Sequence, residues 1–368
     1  MTMKVLFVAP FDGVTGGILR WAEHLFNYYQ TLDDSDIKMD KFSIGRKYAV
    51  NKGQPIKRII NAIKDYGRTI RDYKHCLRNN KYDIAHISTS ASLSLLKDML
   101  MIRIAHRCGT KTVIHFHFGR IPELQKQNNW EWKLMKKVIS MSDSVIVMTE
   151  SSHKTLTDCG YSNIHLVPNP LSPAVTDYIR KHPDKDRIPG TILFVGHVIK
   201  TKGVEELVDA CGHIENVKLK IIGHAADDMK SLLRQKAINC KGDDSWLEQT
   251  GELPYEQVLD QMQRCDLFVL PTYTEGFPNV ILESMACGCA IVTTNVGAIP
   301  EILTDDSNGK YGIMVEPKNT EALASAIKTL QNDENLKKQC RENARRRVFE
   351  RYSMPIVWDM IVHAWKSL

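Results

Sequence analysis

Along this chain, short unbroken apolar runs rich in β-branched residues alternate with longer stretches whose apolar positions recur every three or four residues. The runs predict strands at 4–9, 84–88, 111–116, 144–148 and 164–167, then at 191–195, 218–222, 267–270, 290–293 and 312–315. Helical spacing predicts helices at 199–214, 255–264, 279–287 and 320–331. Strands without polar alternation must be covered on both faces, so the pattern implies parallel sheets sandwiched between helices: an α/β fold built of βα units.

A length of 368 residues exceeds one ordinary core and suggests two such domains. The stretch Pro168-Asn-Pro-Leu-Ser-Pro and the charged run ending at Gly190 punctuate the pattern. We therefore expect an N-terminal domain over 1–172, a hinge over 173–190 and a C-terminal domain over 191–352. A terminal helix over 353–368 lies beyond the last βα unit, in position to pack back across the first domain. Two doubly wound domains facing across a cleft would hold a ligand at the carboxyl ends of their strands.

Composition changes this picture little. Apolar residues make up 43% and charged residues 25%, as in ordinary globular proteins. No apolar run approaches the ~20 residues of a membrane-spanning helix, and the first apolar stretch is too short for a secretory signal. The nine scattered cysteines have no framework or zinc-site spacing, which suits a reducing, cytoplasmic setting. The net charge of +6 is mild but uneven.

Chemistry concentrates in residues 267–301, LFVLPTYTEGFPNVILESMACGCAIVTTNVGAIPE. A strand ends at Leu270, a loop carries Glu275, and a helix begins near Asn279. The backbone N–H groups of Gly276, Phe277, Asn279 and Val280 would gather at a helix amino terminus, a site suited to phosphate. Pro278 lacks an N–H but is well tolerated at a helix start. Glu283 lies about one turn further on, where its carboxylate can face the same ligand. A carboxylate beside phosphates is unfavourable unless hydroxyls donate to it, and a ribose diol supplies two donors. Glu275 could accept from sugar hydroxyls. Taken singly, each glutamate also reads as an ordinary surface or loop acid.

The segment EGFPNVILESMACGCAIVTTNVGAIPEI resembles the Glu-x7-Glu region of the retaining glycosyltransferases of family 4, which have the GT-B fold. Phe194-Val-Gly196 with Lys202-Gly203 is similar to the family's strand–glycine–loop–Lys-Gly stretch, and Val167-Pro-Asn169 to its interdomain Pro-Asn segment. Gly16-Gly17 resembles its amino-terminal glycine loop, and His117 its histidine after the fourth strand. The order and spacing of these pieces carry the match.

The resemblance implies sugar transfer from a nucleotide diphosphate sugar, UDP-sugar favoured, to a hydroxyl with retention and without a metal or other cofactor. His117, Glu275 and Lys202 would form the reacting centre. Gly16, Gly17, Gly196, His197, Lys202, Gly276, Phe277, Pro278, Asn279, Val280 and Glu283 would bind the donor. Lys202 would hold the pyrophosphate and stabilise the leaving nucleotide. The family usually has arginine after Gly196; His197 is a weaker phosphate partner, and Lys200 is in position to substitute. No carboxylate pair reads as nucleophile and acid. The resemblance implies front-face substitution, in which the leaving phosphate helps take the acceptor proton.

His115 and His117 share one strand face and admit three readings: metal ligands, satisfied core histidines, or sugar-pocket groups. We assign His115 to structure and, by resemblance, His117 to the donor-sugar pocket. Asp34-Ser-Asp36 fits a metal-binding Asp-x-Asp pattern but sits in a polar stretch that reads as a solvated turn, and Cys287-Gly-Cys289 reads as a helix end.

For the acceptor, residues 52–81 form a basic amphipathic segment: Lys57, Arg58, Lys64, Arg68, Arg71, Lys74, Arg78 and Lys81 oppose Ile56, Ile59, Ile60, Ile63, Ile70 and Leu77. It reads either as a dock for an anionic membrane carrying a lipid-linked acceptor, at the inner face, or as a helix with its apolar side on the core. Trp130, Trp132, Lys133, Lys136 and Lys137 add an aromatic-basic contact or further packing, and the arginines from Arg341 to Arg351 read as a solvated helical face. The partners expected are thus a nucleotide sugar and a glycan or lipid-linked acceptor in bacterial surface-polysaccharide assembly. No nucleic-acid recognition motif accompanies the basic stretches. Alternatives are another GT-B enzyme, such as an epimerase or phosphorylase, and a non-catalytic nucleotide-sugar-binding partner.

Overall fold

The computed structural model describes residues 2–12, 16–32, 36–45, 55–304 and 309–368, with the side chains of 55–63 excepted. The chain divides into two compact units, 1–169 with 357–368, and 170–356.

The first unit begins β1 (Met3–Ala9), α1 (Gly17–Gln30), β2 (Ile37–Ser43), α2 (Pro55–Asn79) and β3 (Ile84–Thr89). It continues α3 (Ser94–Arg107), β4 (Lys111–Phe116), α4 (Ile121–Gln127), α5 (Trp130–Met141) and β5 (Ser144–Val147). α6 (Glu150–Asp158) and β6 (Ile164–Leu166) complete it. All six strands pair in parallel in the order β2-β1-β3-β4-β5-β6. β3 and β5 are buried throughout, the consequence of helices on both faces of apolar strands.

The second unit runs α7 (Pro173–Lys181), β7 (Ile188–Val195), α8 (Val204–Gly212), β8 (Lys218–Ile222) and α9 (Asp227–Lys241). β9 (Leu247–Gly251), α10 (Tyr255–Arg264), β10 (Cys265–Leu270), α11 (Asn279–Ala286) and β11 (Ala290–Thr294) follow. Then come α12 (Ile299–Leu303), β12 (Ile313–Val315), α13 (Thr320–Asn332) and α14 (Glu334–Tyr352). Its parallel sheet has the order β12-β11-β10-β7-β8-β9, the doubly wound arrangement in which the chain reverses direction between β7 and β10. Most of the closing helix, α15 (Met354–Lys366), belongs to the first unit, where Trp365 is buried and donates from Nε1 to Nδ1 of His86 at 3.0 Å.

The apolar runs became strands. β2 and β9, absent from the expectation, are both sheet edges. Their sequences, IKMDKFS and LEQTG, alternate or are polar because one margin meets water. Residues 173–181, read as linker, form α7: Pro173 starts the helix and Val175 and Tyr178 are buried beneath it.

The arginine face of α14 is corrected in part. Arg347 is 5% exposed and donates to the carbonyls of Glu301, Ile302 and Thr304 at the end of α12. Arg341 pairs with Asp266 at 3.1 Å. Guanidinium donors here serve backbone acceptors at a helix end. Periodicity alone could not distinguish that from solvation.

Candidate active site

In the second unit the loops after β7 and β10 diverge at the reversal point, where a doubly wound sheet leaves a crevice. β7 ends at Val195, and Gly196, exposed His197 and exposed Lys200 follow. A single 3-10 turn, Lys200–Lys202, leads through Gly203 into α8. Gly203 has φ +69°, and a Cβ there would lie 1.9 Å from the carbonyl oxygen of Pro271. Only glycine permits both the left-handed backbone and that approach. The two loops are further joined by the Tyr273 N–H, which donates to the Thr201 carbonyl at 2.8 Å.

The result brings Lys202 to Glu275: Nζ donates to Oε1 at 2.5 Å, with the side chains 24% and 13% exposed. On the other side of Glu275, Gly297 (φ +57°) would carry a Cβ 2.1 Å from the Glu275 carbonyl oxygen, so glycine again permits the contact. The Ala298 N–H donates to the Gly276 carbonyl at 3.1 Å. The loop holding Glu275 is therefore gripped on both flanks by backbone.

Gly276 is half-buried, Phe277 is buried against Tyr352 with ring centroids 5.9 Å apart, and Pro278 caps α11. Asn279 is exposed and Val280 half-buried in the first turn, which carries no acidic side chain and no side-chain cap. That amino terminus keeps its positive dipole end uncompensated by a local carboxylate. Glu283 follows in the next turn and accepts from the Tyr255 hydroxyl at 2.8 Å. Burial and the Glu283 carboxylate raise the Tyr255 pKa, keeping the phenol a donor. Tyr255 opens α10 and was missed by sequence reasoning; its signal was an aromatic with a polar tip directly after Pro254. A second missed pair, the Tyr273 hydroxyl on Glu206 at 2.5 Å, ties the β10 loop to α8.

The first unit holds the other expected residues. Gly16 caps α1 and Gly17 begins it, and a Cβ on either would meet no atom within 4 Å among the described residues. His117 follows β4 and its N–H donates to the Thr89 carbonyl. Its ring stacks on His115 at 4.0 Å and meets Trp21 edge-on at 4.4 Å. His115 is 1% exposed and also contacts buried His86, Nδ1 to Nε2 at 3.2 Å. His117 is partly exposed as a residue, yet its Nε2 is buried. Burial lowers the pKa of all three rings, to about 3 for His86 and His117, so the cluster is neutral near pH 7.

Among the described residues, no three His, Cys, Asp or Glu side chains cluster as metal ligands, and no helix is long and apolar enough to cross a membrane. Asp34 lies outside the described residues, and so do the side chains of Ile56, Lys57, Arg58, Ile59, Ile60 and Ile63.

The family described as Glycosyl transferases group 1 matches residues 176–347, and Glycosyltransferase Family 4 matches 43–175. Between them these matches span both units, and the chain belongs to the family-4 class of glycosyltransferases with the GT-B fold.

Among relatives, the capsular polysaccharide biosynthesis glycosyltransferase CapM of Staphylococcus aureus is 34% identical over 175 residues, 45% of this chain and 43% of that protein. A Campylobacter jejuni N,N'-diacetylbacillosaminyl-diphospho-undecaprenol alpha-1,3-N-acetylgalactosaminyltransferase is 29% identical over 157 residues, 42% of this chain and 38% of that protein. The chain thus matches less than half the length of these curated relatives. Among solved structures, the sucrose-phosphate synthase of Thermosynechococcus elongatus has a TM-score of 0.74 at 16% identity, covering 99% of this chain and 98% of that one. Anabaena HepE in complex with UDP-glucose has a TM-score of 0.68 at 17% identity, covering 100% of both chains. At these identities the structures establish the fold.

Proposed function

We propose that the protein is a retaining, metal-independent glycosyltransferase. In this reading it moves a sugar from a UDP-sugar to a hydroxyl of a glycan or lipid-linked acceptor during bacterial surface-polysaccharide synthesis. The observation that carries the reading is the loop–helix unit after β10: Glu275 meets Lys202, and Glu283 lies in the second turn of α11 with Tyr255 bonded to it. Glu283 accepts from the ribose hydroxyls while Tyr255 orients its carboxylate. The uncapped start of α11 takes phosphate, and Lys202 exchanges Glu275 for the phosphate nearest the sugar. Glu275 and His117 take sugar hydroxyls. Gly16 and Gly17 give the donor room beside the backbone, as do Gly196 and His197 after β7.

In the reaction, the bond from the anomeric carbon to the leaving phosphate oxygen breaks and the bond to the acceptor oxygen forms on the same face. The acceptor proton passes to the departing phosphate, and the bonding electron pair leaves with the nucleotide. Lys202 and the helix terminus stabilise that charge, the task a metal performs elsewhere. Support for UDP comes from the Anabaena protein, whose structure holds UDP-glucose, and support for a lipid-linked acceptor from the diphospho-undecaprenol in the Campylobacter name.

The partner surface in this reading is an anionic membrane at its cytoplasmic face. Besides the basic segment 52–81, Leu93, Leu96 and Leu100 lie 62%, 50% and 47% exposed at helical spacing along α3. α3 packs between α2 and α5, which expose Lys64, Arg71, Lys74 and Arg78, and Trp130, Lys133, Lys136 and Lys137. Apolar residues bordered by cations suit anionic headgroups over an acyl layer.

A thermal-shift panel of nucleotides and nucleotide sugars tests the core of the reading. UDP and one UDP-sugar should raise the melting temperature, and no shift with any nucleotide overturns it. Sedimentation with phosphatidylglycerol vesicles tests the surface. Leu96→Ser/Leu100→Ser should release the protein, and unchanged sedimentation refutes the dock.

A further inference from the structure

Trp365, His86 and His115 of the first unit form a directed hydrogen-bond chain, with His117 stacked on its end. An indole N–H only donates, so its 3.0 Å bond from Trp365 fixes Nδ1 of His86 as an acceptor. The proton of a neutral His86 therefore sits on Nε2, from which it donates to Nδ1 of His115 at 3.2 Å. That acceptance leaves the His115 proton on Nε2. His115 Nε2 is buried without a hydrogen-bond partner among the described residues, as are Nε2 of stacked His117 and Nε1 of Trp21. Buried N–H groups take a partner wherever one can reach them.

We propose that Trp365 is a positioning residue: through His86 it holds His115 as the Nε2–H tautomer, a fixed donor beside His117 for an oxygen atom of the substrate. The tautomer assignment stands on hydrogen-bond chemistry alone, whereas its use on substrate rests on the transfer reading above. Trp365 lies 279 residues from His86 and in the closing helix, so that helix reports on the histidine cluster it covers. Without the indole N–H, His86 is free to place its proton on Nδ1. His115 then loses its single tautomer, and turnover loses a preset donor while nucleotide binding in the second unit is untouched.

The test is two-bond 15N–1H correlation on the full chain with 15N-labelled histidine at pH 7. In the native protein His86 and His115 should each show pyridine-type Nδ1 and pyrrole-type Nε2. In Trp365→Phe the His115 signals should move toward tautomer averaging, with turnover down several-fold and UDP affinity unchanged. Benzothienylalanine at 365 keeps the indole shape without the N–H and should behave as Trp365→Phe does, even if the phenylalanine variant packs poorly. The proposal is overturned if native His86 carries its proton on Nδ1, or if His115 keeps one unaltered tautomer in a folded variant lacking the N–H. Both spectra are read without a transfer assay, so failure here and failure of the transfer reading are separate results.

Discussion

Replacing Gly203 by alanine strikes the contact that brings the two candidate-site loops together. The new Cβ would sit 1.9 Å from the Pro271 oxygen, 2.8 Å from its carbonyl carbon and 3.1 Å from its Cγ, on a residue at φ +69°. An L side chain in the left-handed region costs about 1–2 kcal/mol. Relieving an overlap with backbone adds about 1–3 kcal/mol, because no flexible side-chain end can move aside. The sum, about 2–5 kcal/mol, corresponds to a melting-temperature drop of roughly 4–20 °C for a unit of this size. Differential scanning calorimetry of the full chain reads it as displacement of the second unit's transition, since two units need not unfold together. Structural relief would also separate Lys202 from Glu275, so UDP affinity should fall with stability. A drop under 2 °C would refute the argument that glycine is required here.

Gly17→Ala is the contrasting case: with open space around its Cβ, stability should stay within about 1 kcal/mol while transfer falls about tenfold or more, compared by melting curve and turnover. Tyr255→Phe removes the donor to Glu283 and should weaken UDP roughly 3- to 10-fold by calorimetry; an unchanged Kd would mean the hydroxyl plays no part. For pH, His86 and His117 bind protons less readily folded (about 3) than unfolded (~6.5), so the unfolded state holds more protons between those values. Stability from this source is complete above about pH 6.5 and is lost as pH falls toward 3, by about 1.4 kcal/mol per pH unit for each ring. Urea titrations of the first unit's transition from pH 7 to 4 should show the decline, and a flat profile for that unit would contradict buried neutral imidazoles.

How legible this molecule was depended on burial. β3, β4, β10 and β11 announce themselves because helices cover both faces and most of their residues are apolar or small and buried. β2 and β9 escaped because an edge strand meets water and carries Lys38, Asp40 and Lys41 or Glu248 and Gln249. Within the candidate site, Lys202 and Glu275 could be placed on loops after apolar strands, and Glu283 one turn into a helix, from local pattern. The 2.5 Å contact between Lys202 and Glu275 was not legible, since it depends on two glycines packing against distant carbonyls. Tyr255 on Glu283 and Trp365 on His86 are likewise contacts between elements far apart in the chain, which periodicity does not encode. Arg347 shows the converse error: a charge in a basic run became a buried donor because the end of α12 supplied carbonyls.

Binding of UDP to the native protein and to Glu283→Ala, by isothermal titration calorimetry, tests the central claim most directly. Two hydroxyls donating to one carboxylate should hold about 1.4–2.8 kcal/mol of net binding after competition with water, so the variant should bind roughly 10- to 100-fold more weakly. Its melting curve should change little, because Glu283 is only half-buried. Equal dissociation constants within twofold would contradict a ribose-binding role for Glu283 and with it the placement of the donor at α11.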